Sequence, residues 1–197
     1  MKSGRRAARH ETGNEDAARG GLGWVLLVLL LGGLAPARAV ELDGVRLLGG
    51  GALDLGDVSG GGVSLTLTPD STPGWARYLG RDFHWEIAAT SWSHAAAGGG
   101  HVYTLHVGPV WHYLPSILPD RSFVEFGSAL TRVSERQLRD RDLGAHTHFT
   151  THLSFGWRPR RNSDWHLGLR VRHTSNAGRG DPNPGIDIVM FELGLVP

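Results

Sequence analysis

From about residue 43 onward, apolar and polar side chains alternate one by one in runs of roughly ten residues. A period of two belongs to a strand, because successive side chains of an extended chain point to opposite faces. Val63-Ser64-Leu65-Thr66-Leu67-Thr68 is the plainest case. In Phe149–Trp157, Phe149, Leu153, Phe155 and Trp157 share a face. In Trp165–Arg172, Trp165, Leu167, Leu169 and Val171 face one way and Arg170 and Arg172 the other. Asp187 to Leu195 follows the same rule. The pattern predicts eight strands, near 43–54, 61–68, 82–92, 101–113, 122–132, 146–158, 164–175 and 186–196. Gly, Pro, Asp and Asn fill the gaps, as in Pro69-Asp70-Ser71-Thr72-Pro73-Gly74.

An all-β chain of this kind buries its apolar face between two sheets of a soluble sandwich, or closes into a barrel that turns this face to lipid. The polar face separates the two. It carries Arg46, His84, Glu86, His106, His112, Glu125, His148, His152, His166, Arg170, Arg172 and Glu192, with Gly108, Gly127, Gly156 and Gly168 among them. A water-facing sheet favours Lys, Ser and Thr. Arg, Glu, His and Gly suit a narrow lumen filled by a hydrogen-bonded network. Tryptophans at 75, 85, 92, 111, 157 and 165 include several near strand ends, where interfacial girdles lie. The expected fold is an eight-stranded antiparallel transmembrane β-barrel over 40–197, with a functional hairpin at 164–196.

Residues 1–39 differ from the rest. Lys2, Arg5, Arg6, Arg9 and Arg19 precede the apolar run Leu22 to Leu34, which ends at Ala37-Arg38-Ala39. A basic start, a short apolar stretch and small residues at the cleavage positions describe a secretory signal peptide. The alternative, one spanning helix, needs about 20 apolar residues. Of 20 Lys+Arg and 19 Asp+Glu, six and three lie in 1–39, leaving 14 against 16 in the barrel. That balance gives no reason to expect nucleic acid as a partner. Cysteine is absent, so packing and hydrogen bonds alone hold the exported domain.

The seventh and eighth runs carry the chemistry. His173 and Ser175 are two apart and continue the apolar face of Val171. Asp187 shares parity with Val189, Phe191 and Leu193 on the next strand, whereas Glu192 has the opposite parity. Imidazole, hydroxyl and carboxylate thus project together from the outer wall. A serine hydroxyl is a weak nucleophile until an imidazole removes its proton, and a carboxylate fixes the imidazole's tautomer. The tetrahedral oxyanion needs donors, for which the Asn183 amide and the backbone N–H groups around Ala177 and Gly178 are the candidates. A bare His-x-Ser pair is usually structural. The shared parity with Asp187 and the Asn- and Gly-rich loop raise it above that.

The run His173-Thr174-Ser175-Asn176-Ala177-Gly178, continued by Pro182-Asn183-Pro184-Gly185-Ile186-Asp187, resembles the signature of the outer-membrane lipid A 3-O-deacylases, the PagL family. The resemblance implies a catalytic His173, Ser175 and Asp187, an oxyanion role for Asn183 and a supporting role for Asn176. It implies hydrolysis of the ester-linked 3-hydroxyacyl chain at position 3 of lipid A. The family's prototype carries glutamate where this chain has Asp187. The connection 69–81 is long for a periplasmic turn. With both termini in the periplasm, His173 and Ser175 reach the outer leaflet, where Arg179 is a candidate for the substrate's phosphates or an ordinary loop charge. The expected partners are lipopolysaccharide and outer-membrane lipid, with a homodimer left open. The other readings are a non-catalytic outer-membrane barrel and a phospholipase or lipase of the same membrane.

No cofactor and no metal are expected. His101, His106, His146, His148 and His152 lack metal-binding spacing. Gly60–Gly62 and Gly98–Gly100 precede no helix and are loop glycines. Asp140 and Asp142 among Arg136, Arg139 and Arg141 read as a solvated loop, with a divalent-ion or lipopolysaccharide-core contact as the alternative.

Overall fold

The computed structural model describes residues 40–79, 82–94 and 100–195; the expected signal peptide lies outside these. Eight long strands form the wall: β1 (Val40–Ala52), β2 (Val58–Pro69), β3 (Asp82–His94), β4 (His101–Tyr113), β5 (Ser122–Val133), β8 (Thr147–Trp157), β9 (Trp165–Ser175) and β10 (Ile186–Leu195). Two short strands, β6 (Gln137–Leu138) and β7 (Arg141–Asp142), make a small hairpin between β5 and β8. Each long strand pairs antiparallel with its neighbours, and β10 pairs with β1 to close the barrel. Closure leaves no sheet edge unpaired, which a bilayer requires of strands.

The alternation sorts as the sequence predicts. Leu47, Leu65, Leu105, Leu153, Phe155, Leu167, Leu169, Val171, Phe191 and Leu193 are exposed on the outside. Arg46, Glu86, Glu125, His152, His166, Arg170, Arg172 and Glu192 are buried inside. Arg46 makes a bidentate ion pair with Glu125, with Nη2 to Oε1 at 2.7 Å. Arg170 grips Glu86 with two bonds of 2.8 and 2.9 Å and also pairs with Glu192. Rings pack into the lumen where glycines face them. A Cβ on Gly127 would meet His152 at 2.2 Å, and one on Gly194 would meet His166 at 1.9 Å.

The end of the barrel that bears the 176–185 loop is closed in two layers. Thr90, Thr104, Thr131, Thr150 and Thr174, with His106, form a hydrogen-bonded belt across five strands at 2.6–2.9 Å. Above it Leu48, Leu55, Val102, Val133, Leu138, Leu143, Ile186 and Ile188 pack into an apolar plug. Trp92 belongs to this plug, not to a girdle. It is 2% exposed, lies over the Arg172 guanidinium at 5.3 Å and donates to Thr90.

The connection after β2 is long because it covers part of the outer wall. A 3₁₀ turn at Ala76–Tyr78 seals Phe83 and Trp111, and Trp111 Nε1 donates to the Ala76 carbonyl (2.9 Å). Trp75 meets Phe83, Trp85 and Trp111 edge-on, with ring centres 5.6–6.4 Å apart.

Candidate active site

In the β9–β10 pairing, His173 stands directly opposite Asp187. Their side chains lie on the outer face, about half exposed, in line with Val171 and Val189. His173 Nδ1 is 2.8 Å from Asp187 Oδ1. Aspartate therefore suffices at this position, since a directly opposed pair brings the two Cβ atoms within about 5 Å. The imidazole edge rests on Gly185, whose φ is +64°; a Cβ there would sit 2.9 Å from His173 Cε1. Glycine at 185 is thus required twice, by the left-handed backbone and by the ring above it.

Ser175 is the last residue of β9, opposite Phe149 on β8. It has the parity of His173 and is half-buried where wall meets loop. It borders a small cavity beneath the loop, together with Asn183, Ile186, Arg172 and Trp92. Among the described residues no hydrogen bond joins its hydroxyl to His173. The structure thus brings acid and imidazole together and sets the serine two residues further along β9, at the edge of that cavity.

The 176–185 loop is organised by Asn176, whose side chain is fully buried. Its Nδ2 donates to the carbonyls of Leu143, Gly180 and Pro182 at 3.0–3.1 Å. Its Oδ1 accepts from the Gly178 N–H at 2.9 Å. This corrects the expectation for Gly178: its N–H is already committed and is not an oxyanion donor. Gly178 instead supplies a turn, with φ of +74° following +52° at Ala177. Asn183 braces the same loop. Its Oδ1 accepts from the Asn176 N–H (2.9 Å), which leaves the amide NH₂ as the donating side.

The hairpin β6–β7 holds this loop from above. Arg141 Nη1 donates to the Gly185 carbonyl (3.0 Å) and pairs with Asp54. Arg139 pairs with Asp57 (2.9 Å) and Arg136 with Asp142 (3.1 Å). The Gly144 N–H, and then Arg136, hold Asp142 below the usual carboxylate range. The sequence read this Arg/Asp run as solvated; most of it is cross-linking. Nothing local could have shown that, because Arg141 finds partners 87 and 44 positions away. Arg179 reaches back along the wall, with its guanidinium carbon 4.8 Å from the Phe149 ring centre.

The histidines do not converge. His106 lies between Thr104 and Thr131, His148 bonds the Ala145 carbonyl, and His101 stacks on Tyr103. Among the described residues no group of three potential ligands is placed to hold a metal ion.

Fold and site together define a β-barrel of the outer membrane that carries an acid–imidazole pair on its outer wall. The family model "Lipid A 3-O-deacylase (PagL)" matches residues 59–196, and the chain belongs to that family. The chain is 29% identical over 148 residues to the lipid A deacylase PagL of Bordetella bronchiseptica, covering 66% of this chain and 80% of that protein. It is 28% identical over 114 residues to the lipid A deacylase PagL of Pseudomonas aeruginosa, covering 57% and 64%. It superposes on the crystal structure of the outer membrane enzyme PagL with a TM-score of 0.58 at 25% identity, over 78% of this chain and 99% of that one. Neisserial surface protein A shares the fold, with a TM-score of 0.50 at 11% identity over 81% and 100%. The protein is an outer-membrane ester hydrolase that acts on lipid A.

Proposed function

We propose that the protein hydrolyses the 3-O-linked 3-hydroxyacyl ester of lipid A through Ser175, His173 and Asp187 on the lipid-facing exterior of the barrel. The observation that carries this reading is the 2.8 Å bond between His173 Nδ1 and Asp187 on the outer face, with Ser175 two residues beyond. Residues two apart on a strand are separated by about 7 Å at Cα, a span an imidazole leaning along the strand covers. With Nδ1 held by Asp187, Nε2 is the nitrogen that serves Ser175.

Ser175 Oγ attacks the ester carbonyl as His173 Nε2 takes its proton. The oxyanion receives hydrogen bonds from the Asn183 amide NH₂ and from the backbone N–H of Ala177. Collapse expels the 3-oxygen of the glucosamine, which takes the proton from the imidazolium and leaves an acyl-serine. Water, deprotonated by the same imidazole, attacks that ester. Collapse breaks the acyl–Oγ bond as the imidazolium returns its proton to Ser175 Oγ, so the products are the 3-hydroxy fatty acid and 3-O-deacylated lipid A, with the serine regenerated. Asp187 stays ionised throughout and stabilises the imidazolium. Val171, Val189, Leu169 and Phe191 offer an apolar wall for the acyl chains. With residues 1–39 acting as a signal peptide and both termini in the periplasm, the site lies at outer-leaflet level.

The test is mass spectrometry of lipid A incubated with purified protein. Wild type removes one 3-hydroxyacyl group and Ser175→Ala removes none. An active Ser175→Ala variant ends the serine mechanism; release of acyl chains from phospholipid but not from lipid A points to the phospholipase reading.

A further inference from the structure

Arg132 is an exposed cation at the loop-bearing end of β5, on the outer face of the wall. The register fixes its distance from the site. Leu130 pairs with Phe149, and Phe149 with Ser175, so these three form one rung across β5, β8 and β9. Arg132 pairs with Thr147 on the next rung toward the loops. Neighbouring strands are about 4.8 Å apart, which puts Arg132 roughly 10 Å from the strand of the serine. Arg179 lies over Phe149, on the rung of the serine, with its guanidinium carbon 4.8 Å from the ring centre.

The charge balance singles Arg132 out. Arg136, Arg139 and Arg141 at this end each hold an aspartate. Arg132 Nη1 donates to Thr147 Oγ1 (3.3 Å), and among the described residues no carboxylate lies within ion-pair distance of it. Below it the same face is apolar, with Phe126, Leu153, Phe155 and Leu169 exposed. A guanidinium at the top of such a stripe stands at headgroup level, with acyl chains running down the wall beneath it. Its planar fork matches two phosphate oxygens, which an ammonium does not.

We propose that Arg132 and Arg179 form a two-point clamp for the phosphates of the substrate's glucosamine headgroup, and so decide which sugar ester reaches Ser175. This rests on the lipid A deacylase reading above. The clamp recognises phosphorylated sugar, and the hydroxyl, imidazole and acid do the chemistry.

The experiment compares full-length wild type, Arg132→Gln, Arg132→Lys and Arg132→Gln/Arg179→Gln on phosphorylated and dephosphorylated lipid A in detergent micelles. Heat-modifiable gel mobility verifies that each barrel is folded. The expected result is a KM for phosphorylated substrate raised about tenfold in Arg132→Gln at constant kcat. The preference for phosphorylated over dephosphorylated substrate collapses toward unity in the double variant, and Arg132→Lys recovers part of it. A preference equal to wild type in the double variant overturns the clamp while leaving the deacylase reading intact. If wild type cleaves neither substrate, the deacylase reading fails and binding decides the clamp. Ser175→Ala protein should then bind phosphatidylcholine vesicles carrying phosphorylated lipid A more tightly than vesicles carrying the dephosphorylated form, and lose the difference with Arg132→Gln. Binding indifferent to the phosphates overturns it.

Discussion

Asp187 lies on Nδ1 of His173, and in the proposed mechanism this single bond decides which nitrogen is free to move a proton. Asp187→Asn replaces an acceptor by an amide that favours the wrong tautomer. Turnover on lipid A should fall by on the order of ten-thousand-fold with the barrel intact by circular dichroism. Asp187→Glu should keep most of the activity, because the register already places the acid opposite the ring. Gly185 is the second sensitive position. Its φ of +64° and the 2.9 Å approach of the imidazole leave no place for a methyl group. Gly185→Ala should lower kcat by about ten- to a hundredfold, since a displaced base is a poor base. The backbone strain adds a stability loss of only about 1 kcal/mol, measurable by urea unfolding. Parity put His173 and Asp187 on one face in advance, because alternation is local, and the structure pairs them. Gly178 was misread because its N–H answers to the buried Asn176 oxygen, and no spacing rule reports which backbone donor a neighbouring amide has already taken.

The strands were readable almost end to end, and the loops were not. A half-buried strand writes its two faces into the sequence, whereas a loop is fixed by contacts far along the chain. Asn176 shows the difference. It looks like any loop asparagine, yet its amide ties the 176–185 loop to itself and to Leu143 of the neighbouring connection. Asn176→Ala leaves three carbonyls without that donor and should destabilise the loop by about 2 kcal/mol. The expected signature is faster proteolysis within 176–185, together with lower activity despite an unchanged Ser175. Arg141→Ala frees the Gly185 carbonyl and should loosen the same loop more mildly. Trp92 shares the parity of Glu86, so alternation alone turns it inward, but only contacts with distant loops make it part of the plug.

The lumen makes the barrel one cooperative object. Arg46 on β1 pairs with Glu125 on β5, 79 positions away, and Arg170 on β9 grips Glu86 on β3 across 84. The sequence showed that these charges face inward, but not which partner each would take. Glu125→Ala removes the bidentate partner of the buried Arg46 guanidinium and leaves it only the longer contact to Glu192 at 3.9 Å. It should cost about 3 kcal/mol in urea unfolding from lipid vesicles, far more than deleting an exposed pair such as Arg161–Asp120.

The threonine belt and the apolar plug above it have an electrical corollary. Among the described residues the Arg46–Glu125 and Arg170–Glu86 pairs cross the middle of the lumen, and one mouth is stoppered by leucine, isoleucine and tryptophan. Inserted into a planar bilayer under voltage, the barrel should carry no steady ionic current, unlike a porin of similar wall chemistry. Antibiotic and solute permeability of a cell should be indifferent to how many copies it makes.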